Sequence, residues 1–172
     1  MHATSSQPGN TRRGIVLDHI AAFNAGGLDQ ALLSFEHPRL ELAATDEVID
    51  GPDAVMGSWK ALRRAFPDLL IETITLHESD SAIVVEAVAR GTHSGGFRGL
   101  PPTGRHVELP VGGIFVFEDR GLVCLRLFFD TTTFLQQLGV ARDPLSVAGR
   151  VGTVAGHPLR VGRGVIRRVT GR

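Results

Sequence analysis

A single cysteine, Cys124, stands in 172 residues. No internal disulfide can form, and a reducing compartment is the expectation. No apolar run approaches the roughly 18 residues that cross a bilayer. The polar stretch Met1–Arg13 lacks the apolar core of a signal peptide, so a cytoplasmic protein with no membrane partner is expected. An excess of one charge is also missing, with 18 basic residues against 18 acidic. Division at Val140 nonetheless gives 11 basic against 17 acidic before it and 7 against 1 after it, a mildly acidic body and a basic tail. Nucleic acid is not the expected partner. Gly149-Arg150-Val151-Gly152 and Gly162-Arg163-Gly164 are not phosphate loops, because no strand precedes them and no glycine-lysine-serine pattern follows. Ser94 has no nucleophile-elbow motif around it, and no carboxylate or cysteine stands at ligand spacing beside His93 or His106. Neither a metal nor another cofactor is called for.

What is present is one ordinary domain, long enough to bury about two thirds of its unfolded surface. Residues 1–11 read as a disordered lead, 12–140 as the folded body and 141–172 as a Gly/Arg-rich tail. Val16, Ile20 and Phe23 recur at helical spacing before the stop Asn24-Ala25-Gly26-Gly27. Leu28, Ala31, Leu32 and Phe35 predict a second helix ending at His37-Pro38, and Leu40-Glu41-Leu42 a short strand. Pro52 and Asp53 open a third helix whose stripe is Val55, Trp59, Leu62 and Phe66. From Leu69 the period becomes two, with strands over 69–76, 83–89, 107–117 and 122–129 and a final helix over 131–138. Helices first and long strands last predict an α+β fold, with the helices on one face of an antiparallel sheet that must curl.

Three blocks carry more specific information. They are Phe66-Pro67-Asp68-Leu69, then Gly91-Thr92-His93 with Gly99-Leu100-Pro101-Pro102-Thr103-Gly104, then Asp130 leading a helix that ends in Gln137-Leu138-Gly139. In this order and spacing the chain resembles the SnoaL-like polyketide cyclases over about residues 15–140. The resemblance implies the cone-shaped fold of nuclear transport factor 2, ketosteroid isomerase and scytalone dehydratase. It also implies a dry pocket, an outer sheet face that pairs copies into a homodimer or homotetramer, and an aspartate, Asp130 here, as acid/base. The implied activity is cofactor-independent aldol ring closure of a hydrophobic, polyketide-like small molecule. Other reactions on the scaffold (hydroxylase, dehydratase, epoxide hydrolase) and non-catalytic binding remain open.

The residues themselves leave two readings for Asp130. At the mouth of an apolar pocket, after Phe128 and Phe129, its charged form would be destabilised and it could exchange protons near neutral pH. Directly before a helix it could instead be the N-cap, which holds it ionised. His93 shares the apolar strand face of Ile83, Val85, Ala87 and Ala89 and is the second catalytic candidate, as an orienting or oxyanion group. Trp59, Phe35, Phe115, Phe117 and Phe128 are candidate pocket walls. Arg126, four residues before Asp130, would bind an enolate or carboxylate if its face is inward, and is an ordinary surface or dimer charge if outward. His106 at a strand entrance and Asn24 at the first helix stop complete the substrate-binding candidates.

Overall fold

The computed structural model describes residues 11–119 and 121–141. The expected lead, apart from Thr11, and the basic tail, apart from Ala141, lie outside the described residues. Helix α1 (Arg12–Asn24) starts where Thr11 Oγ1 accepts a hydrogen bond from the Gly14 amide at 3.1 Å. Its buried residues are Val16, His19, Ala22 and Phe23, so the stripe that enters the core includes a histidine. Helix α2 (Leu28–Leu32) is a single turn. It ends before the predicted Phe35 because Phe35 bridges to Leu122 in the sheet and the Glu36 amide donates to Leu122 O at 2.8 Å. A backbone drawn into a sheet ladder cannot continue a helix.

Strand β1 (Arg39–Leu42) pairs with β2 (Glu47–Asp50), a short charged strand that the sequence pattern did not signal. Helix α3 (Pro52–Ala65) begins with proline in its first turn, as predicted, and buries Val55, Trp59 and Ala65. Strands β3 (Leu70–Glu78), β4 (Ala82–Thr92), β5 (His106–Glu118) and β6 (Gly121–Phe129) follow, and helix α4 (Thr131–Gln137) closes the described chain. One six-stranded sheet runs in the order β2-β1-β6-β5-β4-β3. Its pairs are antiparallel except β1 with β6, where Leu40 faces Leu125 in parallel register. The purely antiparallel expectation is corrected there: the crossover from β1 through β2 and α3 returns the chain to the far edge of the sheet.

Strands of up to 13 residues twist and coil, and register shifts at Thr73/Thr75 and Val116/Phe117 bend the sheet further. The result is a curled α+β sheet with helices across its concave side. Alternate residues of every long strand turn inward: Val85 and Ala87 on β4, Leu109 and Phe115 on β5, Leu125 on β6.

Candidate functional site

The curled sheet and its helices enclose a chamber of about 870 Å³, within the range of small-molecule sites. Ile71, Val85, Ala87, Leu109, Val111, Gly113, Phe115, Leu125 and Leu127 line it from the strands, and Phe23, Trp59, Leu62 and Phe66 from the helical side. Its charged lining residues, Glu47 and Arg98, form an ion pair with each other, and both side chains are partly exposed to solvent. Thr45, Ser58 and Thr131 add hydroxyls at positions that are themselves partly exposed.

His19 differs from all of these. It lines the chamber yet is only 4% exposed. Phe35, Trp59 and Phe115 meet its ring edge-on, with centroids 5.4, 5.6 and 5.4 Å away. Its Nδ1 lies 2.8 Å from Ser34 Oγ and 3.1 Å from Ala31 O. Burial pushes its pKa down to about 4, only partly opposed by the bond to Ala31 O, so the ring is neutral at physiological pH. Nε2 has no hydrogen-bond partner among the described residues. Sequence reasoning missed this residue. Its signal was a polar side chain three residues after Val16 and four before Phe23, on the apolar stripe itself.

Trp59 and Phe115 are chamber walls, and Phe128 stands at the rim, 42% exposed. Phe35 and Phe117 are buried core residues outside the lining: Phe35 backs His19, and Arg12 sits over the Phe117 ring. The other polar candidates are engaged elsewhere. Asn24 donates to Ile71 O and accepts from the Ile71 amide, both at 2.8 Å, which staples α1 to β3, and it is not part of the chamber lining. Arg126 lies on the outward face of β6 and donates to Glu41 at 2.6 Å. That bond, with a second from Arg39, holds the Glu41 carboxyl below its usual range. His106 is exposed, near Thr92, and is not part of the lining.

His93 is fully buried but does not line the chamber. Its ring stacks on Phe66, which does, with centroids 5.1 Å apart, while Nδ1 accepts from the Thr103 amide at 3.3 Å beside Thr103 Oγ1 at 3.1 Å. His93 thus ties the loop over residues 93–105 together behind the chamber wall. Nearby, Asp68 accepts from the Thr92 amide at 2.7 Å and from Thr92 Oγ1 at 2.8 Å, which lowers its pKa and joins the first sequence block to the second. Ser94 and Gly95 amides both donate to Ala65 O. A Cβ at Gly95 would lie 2.2 Å from Arg64 O, so only glycine permits that approach.

The expectation that the Asp130 carboxyl faces the chamber is corrected. Its side chain is exposed and caps α4: Oδ1 accepts from the Thr132 amide at 2.8 Å and Oδ2 from Thr133 Oγ1 at 2.7 Å. The hydroxyl of Thr133, then the amides of the first turn, hold the carboxyl below its ordinary pKa. It is an ionised carboxylate beside the rim, flanked in sequence by the lining residues Phe129 and Thr131. Gln137 completes the pattern at the other end of α4, donating to Glu108 O and accepting from the Glu108 amide, both at 2.8 Å.

Among solved structures, the chain is similar to IdmH, a candidate polyketide cyclase from Streptomyces antibioticus. They share 26% identity and a TM-score of 0.65 over 76% of this chain and 100% of IdmH. A candidate polyketide cyclase from Pseudomonas putida KT2440 superposes with a TM-score of 0.68 at 20% identity, over 75% of this chain and 98% of that one. A protein of ketosteroid isomerase-like fold from Catenulispora acidiphila, crystallised with trimethylamine, gives 0.65 at 14% identity, over 76% of this chain and 96% of that one. The last two likenesses concern the fold alone. No functionally curated protein matches the sequence. The model of the SnoaL-like polyketide cyclase family matches residues 15–138, well over half of the chain and every residue that lines the chamber. The chain belongs to the SnoaL-like polyketide cyclase family.

Proposed function

We propose that the protein closes a ring in a polyketide-type substrate by cofactor-independent intramolecular aldol condensation. The observation that carries this reading is the apolar chamber of about 870 Å³ in a chain of this family. Ring closure removes a proton from a carbon flanked by carbonyls, joins that carbon to a ketone carbon, and returns a proton to the oxygen attacked. No atom is gained or lost in that step. A flexible chain of carbonyls has many unproductive conformers. Walls that hold it folded with the reacting carbons in contact can contribute several kcal/mol, on the order of half the effect seen in the best intramolecular systems.

Asp130 enters this reading as a base and not as an acid. Already ionised on α4, it can take a proton only from a ligand atom that reaches the rim. His93 shapes the wall through Phe66. The proposed homodimer or homotetramer would use exposed apolar side chains such as Leu70 and Ile74 on β3 and Val84 on β4.

The cap on Asp130 favours a second reading, in which the chamber binds a hydrophobic small molecule without turning it over. One assay separates the two. A linear poly-β-ketone ester is incubated with the protein in the presence of a chelator, and products are resolved by chromatography and mass spectrometry. Faster appearance of one ring-closed isomer than in buffer supports the cyclase. A rate and product mixture unchanged from buffer, together with measurable binding of the ester, supports the binder.

A further inference from the structure

A polar atom left without a partner in an apolar chamber is costly unless a ligand completes it. Nε2 of His19 is such an atom, and the surroundings of the ring determine what it can do. The Ser34 hydroxyl has one proton, and it is committed to Ala31 O at 2.6 Å. Both atoms that face Nδ1, Ser34 Oγ and Ala31 O, are therefore acceptors toward the ring. Nδ1 must carry the ring proton. A neutral imidazole has a single N–H, so Nε2 presents a bare lone pair.

Among the described residues, the ring's hydrogen-bond and ring–ring partners are Ala31, Ser34, Phe35, Trp59 and Phe115, none of them charged. A carboxylate arriving there would find no cation and would be repelled by the lone pair. A ligand that brings its own proton donor is complementary. Among hydroxyls, an enol or phenol donates more strongly than an alcohol, and its flat unsaturated frame suits the aromatic wall around His19.

We infer that Nε2 of His19 accepts a hydrogen bond from an enolic or phenolic hydroxyl of the ligand, and so selects and orients ligands that carry one at their leading end. His19 is in this sense a positioning residue. The inference rests on the chamber being the ligand site, as in the reading above, and not on the reaction proposed for it.

The test is isothermal titration calorimetry with 1-naphthol and 1-methoxynaphthalene, run on the wild-type chain and on His19→Phe. The ether is the more hydrophobic probe, so burial alone favours it. The expected result is that the wild-type protein binds 1-naphthol about tenfold or more tighter than the ether. In His19→Phe the two probes should differ by less than about twofold, with ether binding retained. The variant keeps the aromatic packing, and Ala31 O keeps its bond from Ser34. The wild-type comparison needs no variant at all, so a folding defect in His19→Phe leaves the test intact. Equal binding of the two probes to the wild-type chain overturns the inference, as does a preference that survives in a folded His19→Phe. Binding of neither probe overturns both the inference and the chamber as a ligand site. A hydroxyl preference in a protein that fails to accelerate ring closure sinks only the cyclase reading.

Discussion

Asn24, Asp68, Asp130 and Gln137 each place both polar atoms of the side-chain head on backbone groups or a neighbouring hydroxyl, joining one segment to another or capping a helix. His19, on the inner wall of the chamber, places one nitrogen on such partners and leaves the other open. The residues around the chamber that define the family pattern hold its walls in register. The unpaired nitrogen that faces the chamber lies outside that pattern, on the first helix, whereas the unpaired Nε2 of His93 is buried behind the wall. A carboxylate used as a fastener is held ionised, whereas a histidine enclosed by three aromatic rings is held neutral. The same fold thus holds a charged group beside its rim and a neutral one at its inner wall.

The largest effect that would sharpen this contrast is the acid limb of stability. The pKa of His19 is lowered from 6.5 to about 4 on folding. Between those values the unfolded chain binds a proton that the folded chain does not. The contribution is therefore fully present above pH 6.5 and is lost as pH falls toward 4, by about 3 kcal/mol. Denaturant melts across that window should show a steep fall in the wild-type chain and a shallower one in His19→Phe. Equal slopes would mean that His19 titrates normally.

Gly95→Ala comes next. The added methyl meets Arg64 O, the loop must lift from the end of α3, and a loss of about 2–3 kcal/mol is expected in chemical denaturation. Asn24→Ala leaves the amide and carbonyl of Ile71 without partners at a half-buried site. It should cost about 2 kcal/mol while the preference between hydroxyl and ether probes stays as in the wild type. A lost preference would place Asn24 in the ligand site after all.

The smallest effect on stability belongs to Asp130→Asn. Asparagine caps helices nearly as well as aspartate, so the melting temperature should hardly move at neutral pH and probe binding should be unchanged. Because the Asp130 pKa is lowered on folding, its contribution is present above the unfolded value near 3.9 and lost only as pH falls through the folded one. Ring closure abolished in a stable Asp130→Asn is the outcome the base role predicts; closure at the wild-type rate would remove Asp130 from the reaction.

The sequence made most of this fold legible because its elements obey simple periods. Proline at the start of α3, the stripe through Val55 and Trp59, and the alternation along β4 and β5 lead directly to helices over a curled sheet. The strand Glu47–Asp50 was hidden because two of its four residues are charged and its partner, β1, is equally short; its pairing is set by tertiary contact. The chamber walls Trp59 and Phe115 were legible from the helical stripe of α3 and the alternation of β5 respectively.

Roles of polar residues were not. Asp130 was recognisable both as a cap and as a carboxylate near a pocket, and only the direction of its side chain decides between them. Arg126 turns outward to Glu41 and Asp130, just past the strand end at Phe129, turns onto its own helix, so their shared parity brought neither into the chamber. His19 was overlooked because the helix stripe was traced through Ile20, which is only partly buried, rather than through the histidine beside it.

The most direct test is a nitrogen-15 NMR spectrum of the His19 ring at neutral pH. It should show a neutral imidazole protonated at Nδ1, with Nε2 carrying the resonance of a bare, pyridine-like nitrogen that shifts when 1-naphthol is added. A ring protonated at Nε2, or an imidazolium that titrates near pH 6.5, would contradict the account.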